Sequence, residues 1–245
     1  MTPNADPNHG ETDGKQAVGS GDANDRDEET DDRRAERENL LVRLLDQGRI
    51  EREVTADALR AVPRHAFVPL AHREAAYEDR PLPIGEDQTI SAPHMVDRMT
   101  DLLAPASDDR ILEIGTGCGY HAALTAELAS EVKSVGYHAN LAEEARDRLA
   151  DLGYENVAVQ AGDGHGGLPE GATYDAAYLT CGASAIPDSV IEQVRPGGRI
   201  LAPIETDSVL GRGGRPLVRV TKRPDGALDR EDHGSVRFVR TRGSS

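Results

Sequence analysis

The stretch Arg110-Ile-Leu-Glu-Ile-Gly-Thr-Gly-Cys-Gly-Tyr120 leaves the chain few ways to fold. A short apolar run, Ile111, Leu112 and Ile114, is interrupted by one acid, Glu113, and then breaks into glycines at alternate positions, Gly115, Gly117 and Gly119. A helix-like run, His121-Ala-Ala-Leu-Thr-Ala-Glu-Leu-Ala129, follows. Strand, glycine loop and helix in that order make a nucleotide cradle. Glycine lets backbone approach a ligand closely and adopt positive φ, and a helix N-terminus offers free N–H groups. The dinucleotide fingerprint is G-x-G-x-x-G. Here the spacing is G-x-G-x-G with Glu113 two residues ahead of the first glycine, which fits S-adenosylmethionine (AdoMet) better than NAD. A tight strand-to-helix turn that holds no ligand is the alternative for this stretch alone.

Downstream the pattern alternates. Strands are expected at 110–114, 132–136, 156–160, 173–179 and 198–203, and helices at 119–129, 139–152 and 187–195, with Pro196-Gly-Gly198 as a turn. Such alternation means βαβ units on a parallel sheet with helices on both faces. Two further strand-like runs, 216–222 and 235–240, flank Pro224-Asp-Gly226 and add antiparallel edge strands, one of which could insert into the sheet. The fold class is therefore α/β: a doubly wound, mostly parallel, seven-stranded sheet with an N-terminal helical extension. In such sheets ligands bind beyond the carboxyl ends of the strands. That directs attention to the glycine loop, to Gly162-Asp-Gly164 and to Thr180-Cys-Gly182. Asp163, between two glycines, suits the exocyclic amine of adenine; an ordinary Asp-Gly turn is the alternative.

Residues 1–35 are acidic and poor in large apolar side chains, so a disordered tail is expected there. The domain then spans 36–245, with N-terminal helices and a substrate loop over 36–105 and a Rossmann-like core and C-terminal strands over 106–245. Helices are expected at 37–45 and, capped by Thr55, at 55–62. Val62 to Pro69 reads as extended, 71–77 as a turn or two of helix, and Asp79-Arg-Pro-Leu-Pro-Ile-Gly85 as loop because of its prolines. A helix starts near Pro93, which suits a first helical turn.

The chain carries 28 basic and 44 acidic residues, a formal net charge of −16. That excess argues against a nucleic-acid-binding surface. It also strains the compact state unless salt screens it, so a salt-loving source is expected. With no tryptophan and 3% aromatics, the core must be built from Leu, Val, Ile and Ala. Cys118 and Cys181 have no metal-ligand spacing and read as small buried residues, so no metal is expected. The N-terminus lacks the apolar core of a signal peptide, and no apolar run reaches about 18 residues. A cytoplasmic monomer without membrane contact is the expectation.

Several blocks occur in one order: Val62-Pro-Arg-His-Ala-Phe-Val-Pro69, Tyr77, Pro81-Leu-Pro-Ile-Gly85, Gln88-Thr-Ile-Ser-Ala-Pro-His94, Leu112-Glu-Ile-Gly-Thr-Gly-Cys-Gly-Tyr120, Gly162-Asp-Gly164 and Pro196-Gly-Gly-Arg199. Together they resemble the protein-L-isoaspartate O-methyltransferases, over roughly 40–205, and the most specific block is Gln88 to Ser91 beside Pro81 to Ile84. The resemblance implies repair chemistry: the AdoMet methyl group passes to the free α-carboxylate of an isoaspartyl residue in a damaged protein, and the ester then collapses to a succinimide. It implies Ser91 as the catalytic residue, Thr89, Ile90 and Ser91 against the substrate, and Glu113, Gly115, Gly117, Gly119, Asp163, Gly164 and His94 around the cofactor. Ser91 would hold one carboxylate oxygen in line with the methyl group rather than act as a nucleophile; its alternative is to cap the helix that follows. His94 is also open to a purely structural role. Other acceptors, or a weakly active binding module, are the competing functions.

The chain departs from the family's pattern at three places. Gly136 stands where an acid usually grips the ribose hydroxyls, leaving Tyr137, His138 or Asn140 to compensate. Cys118 replaces a small hydroxyl residue. Near the C-terminus Arg215 and Arg240 stand in place of a glutamine and a proline, which bears on the substrate more than on the cofactor.

Overall fold

The computed structural model describes residues 30–204 and 214–238. Most of the expected acidic tail, the segment carrying Arg212 and the terminal run with Arg240 lie outside the described residues. The tail ends earlier than its composition indicates, because helix α1 spans Asp31–Asp46. Thr30 caps it by accepting from the Arg33 amide, and Asp31 and Asp32 sit in the first turn, where the helix dipole favours negative charge. That turn carries no apolar periodicity, so only its cap chemistry signals it.

Helix α2 (Glu53–Ala61) begins at Arg52 and places Thr55 inside, fully buried, rather than at its cap. The proline-punctuated run after it is no extended segment; Arg64–Phe67 form a 3-10 turn with all four residues buried. Leu82–Gly85 and Gln88–Ile90 make an antiparallel hairpin, β1 and β2, where loop is expected. Pro83 is tolerated because a two-stranded ribbon leaves its missing N–H without a required partner. Leu82, Ile84 and Ile90 turn inward, and the hairpin closes through Glu86 and Asp87, both at positive φ (51° and 55°). Helix α3 (Pro93–Leu103) follows and buries Val96, Met99 and Leu103.

The main sheet takes the order β5-β4-β3-β6-β7-β8-β9. Its strands are β3 (Arg110–Ile114), β4 (Glu131–Gly136), β5 (Val157–Ala161), β6 (Tyr174–Leu179), β7 (Val194–Pro203), β8 (Arg215–Lys222) and β9 (Leu228–Val236). Pairings are parallel from β5 through β7 and antiparallel at β7–β8 and β8–β9. The fold is thus the expected doubly wound, mostly parallel, seven-stranded one. Alternate residues of β3 serve opposite faces, as strand geometry requires. Ile111 packs with Met99, Leu103 and with Ala122 and Ala126 of helix α4 (Tyr120–Ala126). Leu112 and Ile114 pack with Val190 of α6 (Asp188–Gln193) on the other face, and α5 (Ala139–Asp151) links β4 to β5.

Two C-terminal expectations need correction. The Pro196-Gly-Gly198 turn lies within β7, where the pairing with β6 slips register between Tyr174 and Ala176. The last strand starts at Leu228, and the C-terminal strands add in sequence at the sheet edge without insertion. Only Val236 of β9 is buried, so no alternation marks that strand in the sequence. Among the described residues no helix is long and apolar enough to cross a membrane.

Candidate functional site

From β3 the chain winds outward to β4 and β5, then returns across β3 to β6 on its other side. Beyond the carboxyl ends of these strands such a reversal leaves a crevice. An open cleft lies there. Gly115 and Gly117 form its floor, Gly136, Tyr137 and His138 one wall, and Gly164, Thr180 and Cys181 another. A second space lies alongside, lined by Thr89, Ile90, Ser91, Glu113 and Tyr120. Ile84, Thr89, Gly115, Gly117 and Thr180 line both, so the hairpin and the glycine loop form the waist between two connected spaces.

The loop is fastened from several sides. Thr180 Oγ1 donates to the Gly115 carbonyl at 2.5 Å, and Arg148 Nη1 donates to the Cys118 carbonyl at 3.1 Å. Glu113 projects to the α4 face of the sheet and is fully buried. Ser134 Oγ donates to its Oε2. Burial raises its pKa to about 8, opposed by hydrogen bonds from the hydroxyl groups of Ser134 and Tyr178.

Ser91 is half-buried and lines the second chamber. It does not cap α3. The N-cap is Ala92, and Asp79 Oδ1 accepts from the His94 amide at 3.0 Å in its place. The Ser91 backbone is held instead: Arg64, fully buried, donates from Nη2 to the Ser91 carbonyl and from Nε to the Ala76 carbonyl, both at 2.8 Å. Its guanidinium stacks 4.9 Å over the Tyr120 ring. Sequence reasoning passed over Arg64; an arginine flanked by prolines and apolar residues was the available signal.

The other expected site residues divide. Gly164 lines the cleft, but Asp163 does not; its Oδ1 accepts from the His165 amide (3.0 Å) and pairs with the His165 ring (2.7 Å), the Asp-Gly turn alternative. His94 lines neither chamber and turns its ring to Asp79 at 2.7 Å. Gly119 lines neither and begins α4, where a Cβ would stand 3.2–3.3 Å from Leu149 and Ala145 of α5. Gly136 is walled in as well, since a Cβ there would meet Thr116 Oγ1 at 3.1 Å and Ala142 at 3.2 Å. An acid placed at 136 requires these neighbours to give by a few tenths of an ångström.

A cleft at a glycine loop, joined to a chamber that holds a serine, is a combination that comparison with known proteins can place. A family model described as Protein-L-isoaspartate(D-aspartate) O-methyltransferase matches residues 35–245. The chain belongs to this family. Protein-L-isoaspartate O-methyltransferase 2 of Archaeoglobus fulgidus is 47% identical over 210 residues, which cover 84% of this chain and 93% of that one. The Methanopyrus kandleri protein-L-isoaspartate O-methyltransferase is 44% identical, covering 84% and 91%. A solved protein-L-isoaspartate O-methyltransferase superposes with a TM-score of 0.74 at 31% identity, over 84% of this chain and 66% of that one. A Plasmodium falciparum structure, named as a protein-L-isoaspartate O-methyltransferase in complex with S-adenosyl-L-homocysteine, gives a TM-score of 0.73 over 84% and 98%. At 20% identity, that last likeness speaks for the fold alone.

Proposed function

We propose that this chain is an AdoMet-dependent carboxyl O-methyltransferase acting on the free α-carboxylate of isoaspartyl residues in damaged proteins. The observation that carries the reading is Ser91: its carbonyl is pinned by Arg64, it does not cap the helix, and it faces a chamber continuous with the glycine-loop cleft. The relatives named above, covered nearly end to end, support the same acceptor.

The residues fit the cofactor. Backbone at Gly115 and Gly117 lines both chambers, Gly136 to His138 would flank the nucleoside, and the buried carboxyl of Glu113 lies beside the loop. AdoMet supplies a methyl group already activated on a sulfonium. The carboxylate acceptor is ionised at neutral pH, so no general base is needed. What is left for the chain is to hold the acceptor and shed water. Ser91 would donate from Oγ to one carboxylate oxygen, and Ile90, Val96 and Tyr120 line the same chamber. Tyr137 and His138, which follow Gly136 in the chain, line the same cleft and would supply the polar side chains that Gly136 does not.

Incubation with labelled AdoMet and an isoaspartyl peptide, beside its normal aspartyl counterpart, tests the reading. Base-labile label that depends on the isoaspartyl linkage is expected, and equal labelling of both peptides would refute it. Ser91→Ala should lower kcat by about 100-fold, the scale of lost orientation, with AdoMet affinity changed less than about threefold. Equal losses in both would remove the positioning role.

The surface charge extends the proposal to the setting. An acidic, cytoplasmic monomer that works in high salt, without nucleic acid or membrane, accounts for a net charge of −16. Its thermal midpoint is expected to rise as KCl goes from 0.1 M to 2 M, because the screening length shortens from about 10 Å to under about 3 Å. A midpoint that falls over that range would reject the halophilic setting.

A further inference from the structure

The hairpin β1–β2 is a partition between the two spaces, since Ile84 and Thr89 line both. Its base is fixed from the acceptor side: Leu82 and Ile90 are buried, and Arg64 holds the carbonyl of Ser91 just beyond β2. Its turn is fixed from the cofactor side. Glu86 Oε2 stands 3.5 Å from Nδ1 of His138, a residue of the wall of the glycine-loop cleft. Gln88 Nε2 donates to the Glu86 carbonyl at 3.0 Å and holds the turn from within. Glu86 and Asp87 keep positive φ without being glycine, a conformation that persists where surrounding contacts over-determine it. The Ile84 Cδ1 lies 3.4 Å from where a Cβ on Gly117 would stand, so the hairpin rests directly on the glycine loop.

The imidazole is suited to relay what occupies the cleft. A carboxylate facing Nδ1 favours the tautomer that carries its proton there. That leaves Nε2 as an acceptor; it is buried and has no partner among the described residues. A ligand that fills the cleft and engages Nε2 acts on a ring whose other nitrogen faces the hairpin turn.

We infer that Glu86 is a positioning residue for the acceptor: through His138 it ties the partition to the cofactor wall, so that filling the cofactor cleft raises affinity for the isoaspartyl peptide. The inference rests on the proposed reading of the two spaces as cofactor and acceptor sites. By linkage the effect is reciprocal, the peptide tightening the cofactor by the same factor. The Glu86 side chain is 43% exposed, and such a pair adds little to stability, so its removal separates coupling from folding.

Titration of the wild-type chain with an isoaspartyl peptide, alone and with saturating S-adenosylhomocysteine, reads the coupling without turnover. The peptide should bind at least about fivefold tighter to the loaded protein. Glu86→Ala removes the carboxylate and should bring that ratio close to one, with peptide affinity for the unloaded protein changed less than about twofold. Hydrogen exchange gives a second reading: S-adenosylhomocysteine should slow the amides of 85–89 in the wild type and not in Glu86→Ala. A wild-type ratio of one, or equal ratios or equal slowing in the two proteins, overturns the inference and leaves the cofactor and acceptor readings intact. Failure of the wild type to bind S-adenosylhomocysteine, or the peptide in its presence, overturns those readings and the inference with them.

Discussion

Gly115→Ala is expected to remove measurable AdoMet binding and to lower the thermal midpoint by roughly 5–15 °C. Gly115 sits at φ 106°, a backbone region that L side chains rarely adopt, and holding an alanine there costs about 1–3 kcal/mol. The new Cβ would also stand 2.3 Å from Thr180 Oγ1. Thr180 is the residue whose hydroxyl fastens the loop by donating to the Gly115 carbonyl, so relieving the overlap breaks the fastening. Overpacking of this kind adds about 1–3 kcal/mol. Gly153 supplies the control: its φ is 83°, but no atom lies within 4 Å of an added Cβ. Gly153→Ala should show the backbone cost alone, about 1–2 kcal/mol, with AdoMet affinity unchanged. Calorimetry on both variants separates strain from the loss of the cradle. A Gly115→Ala protein that binds AdoMet like wild type would show that the loop does not form the cofactor floor.

The contrast between these glycines marks what the sequence makes legible. The parallel core was readable because β3 and β6 are largely apolar runs that end at Gly115 and Thr180 and alternate with helical patterns, and strand-end position then named the cleft. The hairpin at 82–90 was hidden because prolines argue against a ladder, and only the inward alternation of Leu82, Ile84 and Ile90 speaks for it. Equal spacing does not give equal placement either. Gly115 and Gly117 line the cleft, whereas Gly119 serves the contact of α4 with α5. Asp163 and His94 look like ligand residues, but each has a nearer partner, His165 and Asp79. Such pairings depend on rotamers and on chain segments up to fifteen residues away, which no local pattern encodes.

Arg64→Met should destabilise the chain by about 3–5 kcal/mol and cut turnover even at temperatures where the variant is folded. Arg64 has no solvent exposure, and burial lowers its affinity for its proton, yet guanidinium remains charged in proteins. It is held by two carbonyls, those of Ala76 and Ser91, and by the face of Tyr120. Each hydrogen bond from a charged donor contributes about 1.5–3 kcal/mol, and methionine leaves both acceptors unpaired. Asp97 on α3 lies in the same interior; burial pushes its pKa well above the usual carboxylate range, and neither of its oxygens has a partner. That acid stabilises nothing once the guanidinium is gone, so adding Asp97→Leu should return part of the lost stability. Turnover should stay low in the double variant, because the carbonyl of Ser91 is still unheld. Arg64→Lys divides the two roles differently: it restores a charge but not the fork that reaches Ala76 and Ser91 together. If Arg64→Met transfers methyl groups at the wild-type kcat while its thermal midpoint falls, Arg64 supports the fold and not the placement of Ser91.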